Sequence, residues 1–219
     1  MISGNREDYL IEILRITKGE GKVKTNDLAN KMKVSPASVS EMIKVLSDEG
    51  FVKYAKYRGA ELTDSGLEYA RRLRRKHDLM ERFLIDVLDM EPDAAHEEAH
   101  KMEHAISDDS AQRICRIIGA PANNDCESCI EYDSSKEGCK TNTKLSDMKQ
   151  GETGRISHLR CEEPSTIKKL ISMGFVPGRE VYIYSNISKC GPKVINIGNA
   201  TFALDSETAS SVFVEKGDD

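Results

Sequence analysis

The chain has 219 residues, 38% hydrophobic and 32% charged with no Trp, enough apolar material for a real core but better divided over two or three compact domains than packed as one block. No apolar run approaches the ~20 residues that span a bilayer, and the opening MISGNREDYL places Glu7 and Asp8 where a secretory signal would be apolar, so the expectation is a cytoplasmic protein without membrane contact. The net charge of −5 is uneven: residues 1–76 hold 16 Lys and Arg against 11 Asp and Glu, residues 77–219 hold 16 against 26, and a basic front half suits a polyanionic partner.

In chain order, residues 7–17 place Leu10, Ile13 and Leu14 at helical spacing. After the breaker at 19–21, Thr25 is positioned to cap a short helix over 26–33 whose apolar face is Leu28, Ala29 and Met32. Ser35 then reads as an N-cap with Pro36 at the first helical position, and Val39, Ile43 and Leu46 form the next buried stripe. Two short helices joined by a tight turn are a helix-turn-helix pattern. The outer side of the second helix carries Ser35, Pro36, Ala37, Ser38 and Ser40, small enough for its N-terminus to enter a major groove, and Lys44 follows a turn later. Residues 51–63 alternate as two strands around Arg58-Gly59, a basic wing on which Lys53, Lys56 and Arg58 can meet phosphates.

Thr63 is expected to cap a long helix on which His77 and Glu81 share a face. A second helix over roughly 93–107 brings His96, His100, Glu103 and His104 to one side. Four of the five histidines thus fall within residues 77–104. Imidazole and carboxylate without thiolate suit Zn²⁺, Fe²⁺ or Mn²⁺. His96-Glu97-Glu98-Ala99-His100 is also a literal H-E-x-x-H, so a zinc metallohydrolase using His96, Glu97 and His100 is one alternative function.

The succession of winged helix, RKHDLMERFL at 75–84 and HEEAHKMEHAISD at 96–108 resembles the diphtheria-toxin-repressor family, which includes iron-dependent and manganese-transport regulators, over roughly residues 5–118. The resemblance implies a homodimeric transcriptional repressor, not an enzyme. It would bind palindromic double-stranded operator DNA when Fe²⁺ or Mn²⁺ is replete, control metal-uptake or homeostasis genes, and take no small organic substrate. Carried over by position, the primary metal site falls on Asp8, His100, Glu103 and His104, and the ancillary site on His77, Glu81 and His96. Iron-type members of the family usually have Met and Cys in place of Asp8 and His100. Manganese-type members have acidic residues there and a further one at the position of Ile11, so this chain follows neither pattern.

Helix-like residues 107–119 offer Ile114, Ile117 and Ile118, with Ile106, Phe83, Leu84, Val87 and Leu88, as a dimer core. Cys126, Cys129 and Cys139 then form an incomplete thiolate set that Cys115 or Cys161 could complete as a zinc site or an iron–sulfur cluster, which keeps a redox sensor as a second alternative. From Lys144, β-rich stretches separated by Gly turns and one short helix at 165–173 suggest a small barrel. LSDMKQGETGRI, LISMGFVPGREV and FALDSETASSV resemble the SH3-like domain of ferrous-iron transport accessory proteins, which adds Glu163 as a candidate ancillary ligand and tilts the cation toward iron. The expected architecture is α+β. A winged helix-turn-helix spans 1–73, a helical metal-binding and dimerisation domain 74–122, a Cys-containing linker 123–143 and an SH3-like barrel 144–219.

Overall fold

The computed structural model describes residues 4–55, 58–118, 142–161, 163–186 and 191–216. The chain forms two units, one of residues 1–78 and 98–106, the other of residues 79–97 and 107–219.

In the first unit α1 (Gly4–Thr17), α2 (Thr25–Met32) and α3 (Pro36–Asp48) precede a hairpin of β1 (Val52–Ala55) and β2 (Gly59–Leu62). The apolar stripes expected of these helices are the ones buried: Leu10, Ile13, Leu28, Val39, Ile43 and Leu46 share one core with Val23, Val52 and Ala60. Ser35 caps α3 as anticipated, its Oγ accepting from Ser38 N at 3.1 Å, with Pro36 in the first turn. Thr25 does not cap α2. It is the first helical residue, and Lys24 occupies the cap position with no side-chain bond.

Val23 joins the hairpin as a bridge to Ala60 through a reciprocal pair of backbone hydrogen bonds of 2.8 and 2.9 Å. That bridge explains Gly59. Its φ is +89°, and a Cβ there would lie 2.4 Å from the Val23 carbonyl oxygen.

Helices α4 (Asp64–Asp86) and α5 (Pro92–Glu103) contribute residues to both units. Thr63 caps α4 by accepting from Gly66 N at 3.0 Å. Helix α5 ends at Glu103, short of the expected 107. His104 and Ala105 instead form a turn closed by bonds from Ala105 N and Ile106 N to Met102 O, and Lys76 Nζ donates to Ile106 O at 2.8 Å.

The second unit holds α6 (Asp108–Ile118), whose first turn is capped by Ser107. Its sheet, with strands in the order β3-β8-β4-β5-β6-β7, is antiparallel throughout. The strands are β3 (Asn142–Lys144), β4 (Thr153–Leu159), β5 (Glu180–Asn186), β6 (Lys193–Ile197), β7 (Ala200–Leu204) and β8 (Val212–Lys216). Alternate residues Ile156, Val181, Ile183, Ile195, Val212 and Val214 close over Leu145, Leu170 and Phe175, as period-2 patterning requires. Helix α7 (Pro164–Ser172) follows β4, and a short α8 (Ser206–Ser210) is capped by Asp205. Register shifts interrupt the ladders at Ile156/His158 and Ile183/Ser185, the kind of irregularity that bends a strand. Among the described residues no ladder joins its edge strands β3 and β7.

Candidate metal centre

In the first unit α1 presents Glu7 and Asp8 in its opening turns, α4 presents Tyr69 and His77, the end of α5 presents His100 and Glu103, and the turn after it presents His104. Asp8, His100, Glu103 and His104 each offer a ligand atom, and these atoms lie within 4.8 Å of one another. Glu103 is the buried centre of the group, with 1% of its side chain exposed. Its Oε2 faces His77 Nδ1 at 2.8 Å, and its Oε1 lies 2.8 Å from His100 Nδ1 and 3.3 Å from His104 Nε2. Burial alone would raise the pKa of this carboxyl, but hydrogen bonds and charge from His77 and His100 outweigh it and hold it below the ordinary glutamate value.

Asp8 and His104 complete the group in an unbalanced way. His104 Nε2 lies 2.9 Å from Asp8 Oδ1, yet both atoms are buried without a hydrogen-bond partner. Two buried polar atoms at this separation without a well-directed hydrogen bond are costly unless a proton or a metal cation lies between them. The donor set, with no sulfur, accords with a hard to borderline divalent cation. The residues therefore fit the ion implied by the resemblance.

The family resemblance pointed to these four residues. It missed Glu7. This carboxylate is 5% exposed, accepts from the Tyr69 hydroxyl through Oε1, and lies 2.6 Å from His104 Nδ1 through Oε2. Burial, then the bond and charge of Glu7, push the Tyr69 hydroxyl up to about 12, so it remains a donor. An acidic residue in a first helical turn ordinarily reads as a dipole complement, and the only sequence signal for more was its place beside Asp8.

In the second unit His96 Nδ1 lies 3.4 Å from Glu81 Oε2, both at the surface. His77 stands one turn before Glu81 on α4. Glu163 is exposed at the N-terminal edge of α7, where its carboxylate accepts from Ser165 Oγ at 3.0 Å, and it is not among the side chains gathered near Glu81 and His96. The two histidines of the H-E-x-x-H fall into different groups, His100 with Asp8 and His96 with Glu81, and Glu97 is exposed. A single zinc held by both, with Glu97 as its base, does not form.

On the outer side of the helix pair Ser35, Pro36, Ala37, Ser38 and Lys44 are exposed, Ser40 is half-buried with its hydroxyl on Pro36 O, and Lys53 and Arg58 are exposed on the hairpin. Lys56 lies outside the described residues, as do Cys126, Cys129 and Cys139. No helix among the described residues is long and apolar enough to cross a membrane.

Comparison with known proteins converges on one family. Residues 1–60 match the iron dependent repressor N-terminal DNA binding domain, residues 63–131 the iron dependent repressor metal binding and dimerisation domain, and residues 143–216 the FeoA domain. An uncharacterized HTH-type transcriptional regulator of Methanocaldococcus jannaschii is 38% identical over 114 residues, covering 52% of this chain and 91% of that protein. The HTH-type transcriptional regulator MntR of Listeria monocytogenes serotype 4a is 30% identical over 118 residues, covering 54% and 82%. Among solved structures, a manganese-dependent transcriptional repressor in complex with manganese is 26% identical and aligns over 96% of this chain and 99% of that one with a TM-score of 0.48.

Proposed function

Because the chain belongs to the iron-dependent repressor family of metal-dependent, DNA-binding transcriptional regulators, we propose that it acts as a homodimer on palindromic operator DNA. Fe²⁺ or Mn²⁺ is its activating ion, and genes of metal uptake or homeostasis are its targets. Asp8, His100, Glu103 and His104 form the primary site in this reading, and His77, Glu81 and His96 the ancillary one. The family is one of DNA-binding repressors, so the hydrolase alternative falls away. The redox-sensor alternative rests on Cys126, Cys129 and Cys139, outside the described residues.

The observation that carries the proposal is the pair of buried, unpartnered atoms, Asp8 Oδ1 on α1 and His104 Nε2 after α5. A bound divalent cation supplies the positive charge that lets these two atoms share one point. Asp8 belongs to the first helix of the DNA-binding fold, whereas His100, Glu103 and His104 come from a segment some 90 residues later. Holding the two together fixes α1, and through the shared core of Leu10, Ile43 and Leu46 it fixes α3, the recognition helix. Dimeric helix-turn-helix proteins must place two such helices about one DNA turn apart, so a ligand that favours one arrangement shifts the population toward binding.

Asp8→Ala tests this. Against an operator selected from randomised duplexes, wild-type binding should tighten on adding Mn²⁺ or Fe²⁺ without oxygen. The variant should keep its helical circular dichroism and lose the metal response. An unchanged response in a gel shift sinks the proposal.

A further inference from the structure

Glu7 is among the few buried charged residues described, and it is no member of the ligand group, yet both of its oxygens are engaged. Oε1 accepts from the Tyr69 hydroxyl, and Oε2 lies 2.6 Å from His104 Nδ1. An imidazole nitrogen that close to a carboxylate oxygen must carry the hydrogen, since two lone pairs would repel. The same rule requires a cation, a proton or a metal ion, between the other nitrogen, Nε2, and its neighbours Asp8 Oδ1 at 2.9 Å and Glu103 Oε1 at 3.3 Å, so when a metal takes that place Nε2 is the ligating nitrogen. The ring is also walled on one side by the start of α1, where a Cβ added to Gly4 would lie 3.5 Å from His104 Cγ.

Tyr69 is held in turn. Its ring packs on Phe51 with centroids 5.4 Å apart and carries the Arg72 guanidinium 4.8 Å above it. Phe51 leads directly into β1, and its carbonyl accepts from Thr63 N at 3.0 Å across the base of the hairpin. The sequence Phe51, Tyr69, Glu7, His104 is therefore a continuous line of contacts from the foot of the wing to the metal centre, all within one unit.

We propose that Glu7 is a positioning residue: anchored by Tyr69, it fixes the tautomer and ring plane of His104 so that Nε2 is offered as a ligand, and the winged-helix core thereby sets how ready the centre is. This rests on the reading of Asp8, His100, Glu103 and His104 as a metal site. A metal-bound histidine whose second nitrogen donates to a carboxylate is a recurring arrangement, and losing the outer partner typically costs about 10- to 100-fold in affinity.

The test uses the full chain labelled with ¹⁵N at histidine. In metal-free wild type, at a pH high enough for the ring to be neutral, long-range ¹H–¹⁵N spectra should show His104 as the Nδ1–H tautomer. Glu7→Met, close in length but without an acceptor, should shift it toward Nε2–H and weaken Co²⁺ binding, followed by visible absorption, by about 10- to 100-fold. Tyr69→Phe keeps the ring on Phe51 and should preserve the tautomer while weakening Co²⁺ by about two- to tenfold, the worth of one hydrogen bond. Unchanged tautomer and affinity in Glu7→Met overturn the inference. If that variant does not fold, unchanged Co²⁺ affinity in Tyr69→Phe does so instead. Wild-type protein with the Nδ1–H tautomer but no Co²⁺ binding refutes the metal-site reading itself and, with it, the purpose assigned to Glu7.

Discussion

Among the described residues two groups of histidine and carboxylate stand out, and they are built differently. Around Glu103 the carboxylates are sunk to 1% exposure for Glu103 and 5% for Glu7, and each oxygen has a specific neighbour. At Glu81 the carboxylate is 31% exposed and the His96 imidazole lies 3.4 Å away, a surface pair of the kind that contributes little by itself. A buried group cannot adjust cheaply to a missing charge, whereas an exposed one is satisfied by water. The first is therefore preorganised, and the second adjustable.

The largest effect that separates them is expected from Glu103→Ala. Three imidazoles meet this carboxylate, so the variant should lose Mn²⁺ binding at the inner centre by more than the roughly 100-fold at the top of the range for outer partners. Counting free aquo-Mn²⁺ by electron paramagnetic resonance measures it. His96→Ala removes a side chain of the other group and should leave the inner, tight step of the same titration at its wild-type value. Equal losses in the two variants would break the distinction between the groups.

Lys44→Ala and Arg58→Ala act on neither group. Both side chains are exposed, on α3 and at the hairpin turn. Each variant should leave Mn²⁺ binding at the wild-type value and reduce the slope of log affinity for DNA against log salt by about one unit. A variant that altered metal binding would mean that the polyanion surface and the metal centre are not separable in the way their geometry suggests.

What the sequence made legible follows from periodicity. Leu10, Ile13, Val39, Ile43 and Leu46 recur at helical spacing and are buried, and Ser35-Pro36 is a local start signal that needs no tertiary information. The family pattern brought Asp8 together with His100, Glu103 and His104, which the structure gathers in one place, because such a pattern carries contacts that spacing cannot. Spacing alone misplaced His104 onto the helix, because nothing local marks the end of α5 at Glu103, where Lys76 donates to Ile106 O from thirty residues earlier. Thr25 failed as a cap for a related reason: the chain enters α2 from Lys24 in an extended conformation, so the helix starts one residue sooner than the side chain suggests. Glu7 was invisible because its partners, Tyr69 and His104, are 62 and 97 residues away.

The smallest effect concerns Ser35. Its Oγ accepts from Ser38 N at 3.1 Å and lies 2.9 Å from Ser38 Oγ, its two side-chain bonds in the described structure. Ser35→Ala leaves one amide at the start of α3 to be satisfied by water, which costs about 1 kcal/mol in proteins. The melting temperature should fall modestly, while the Mn²⁺ titration stays at the wild-type value because neither bond reaches a ligand residue. Against operator DNA the loss should exceed what the lowered stability explains, since the same helix N-terminus is the part placed to enter a groove. A Ser35→Ala protein that melts lower yet binds DNA normally would show that α3 tolerates fraying at its first turn, and that Lys44 and Arg58 carry more of the contact than the serines do.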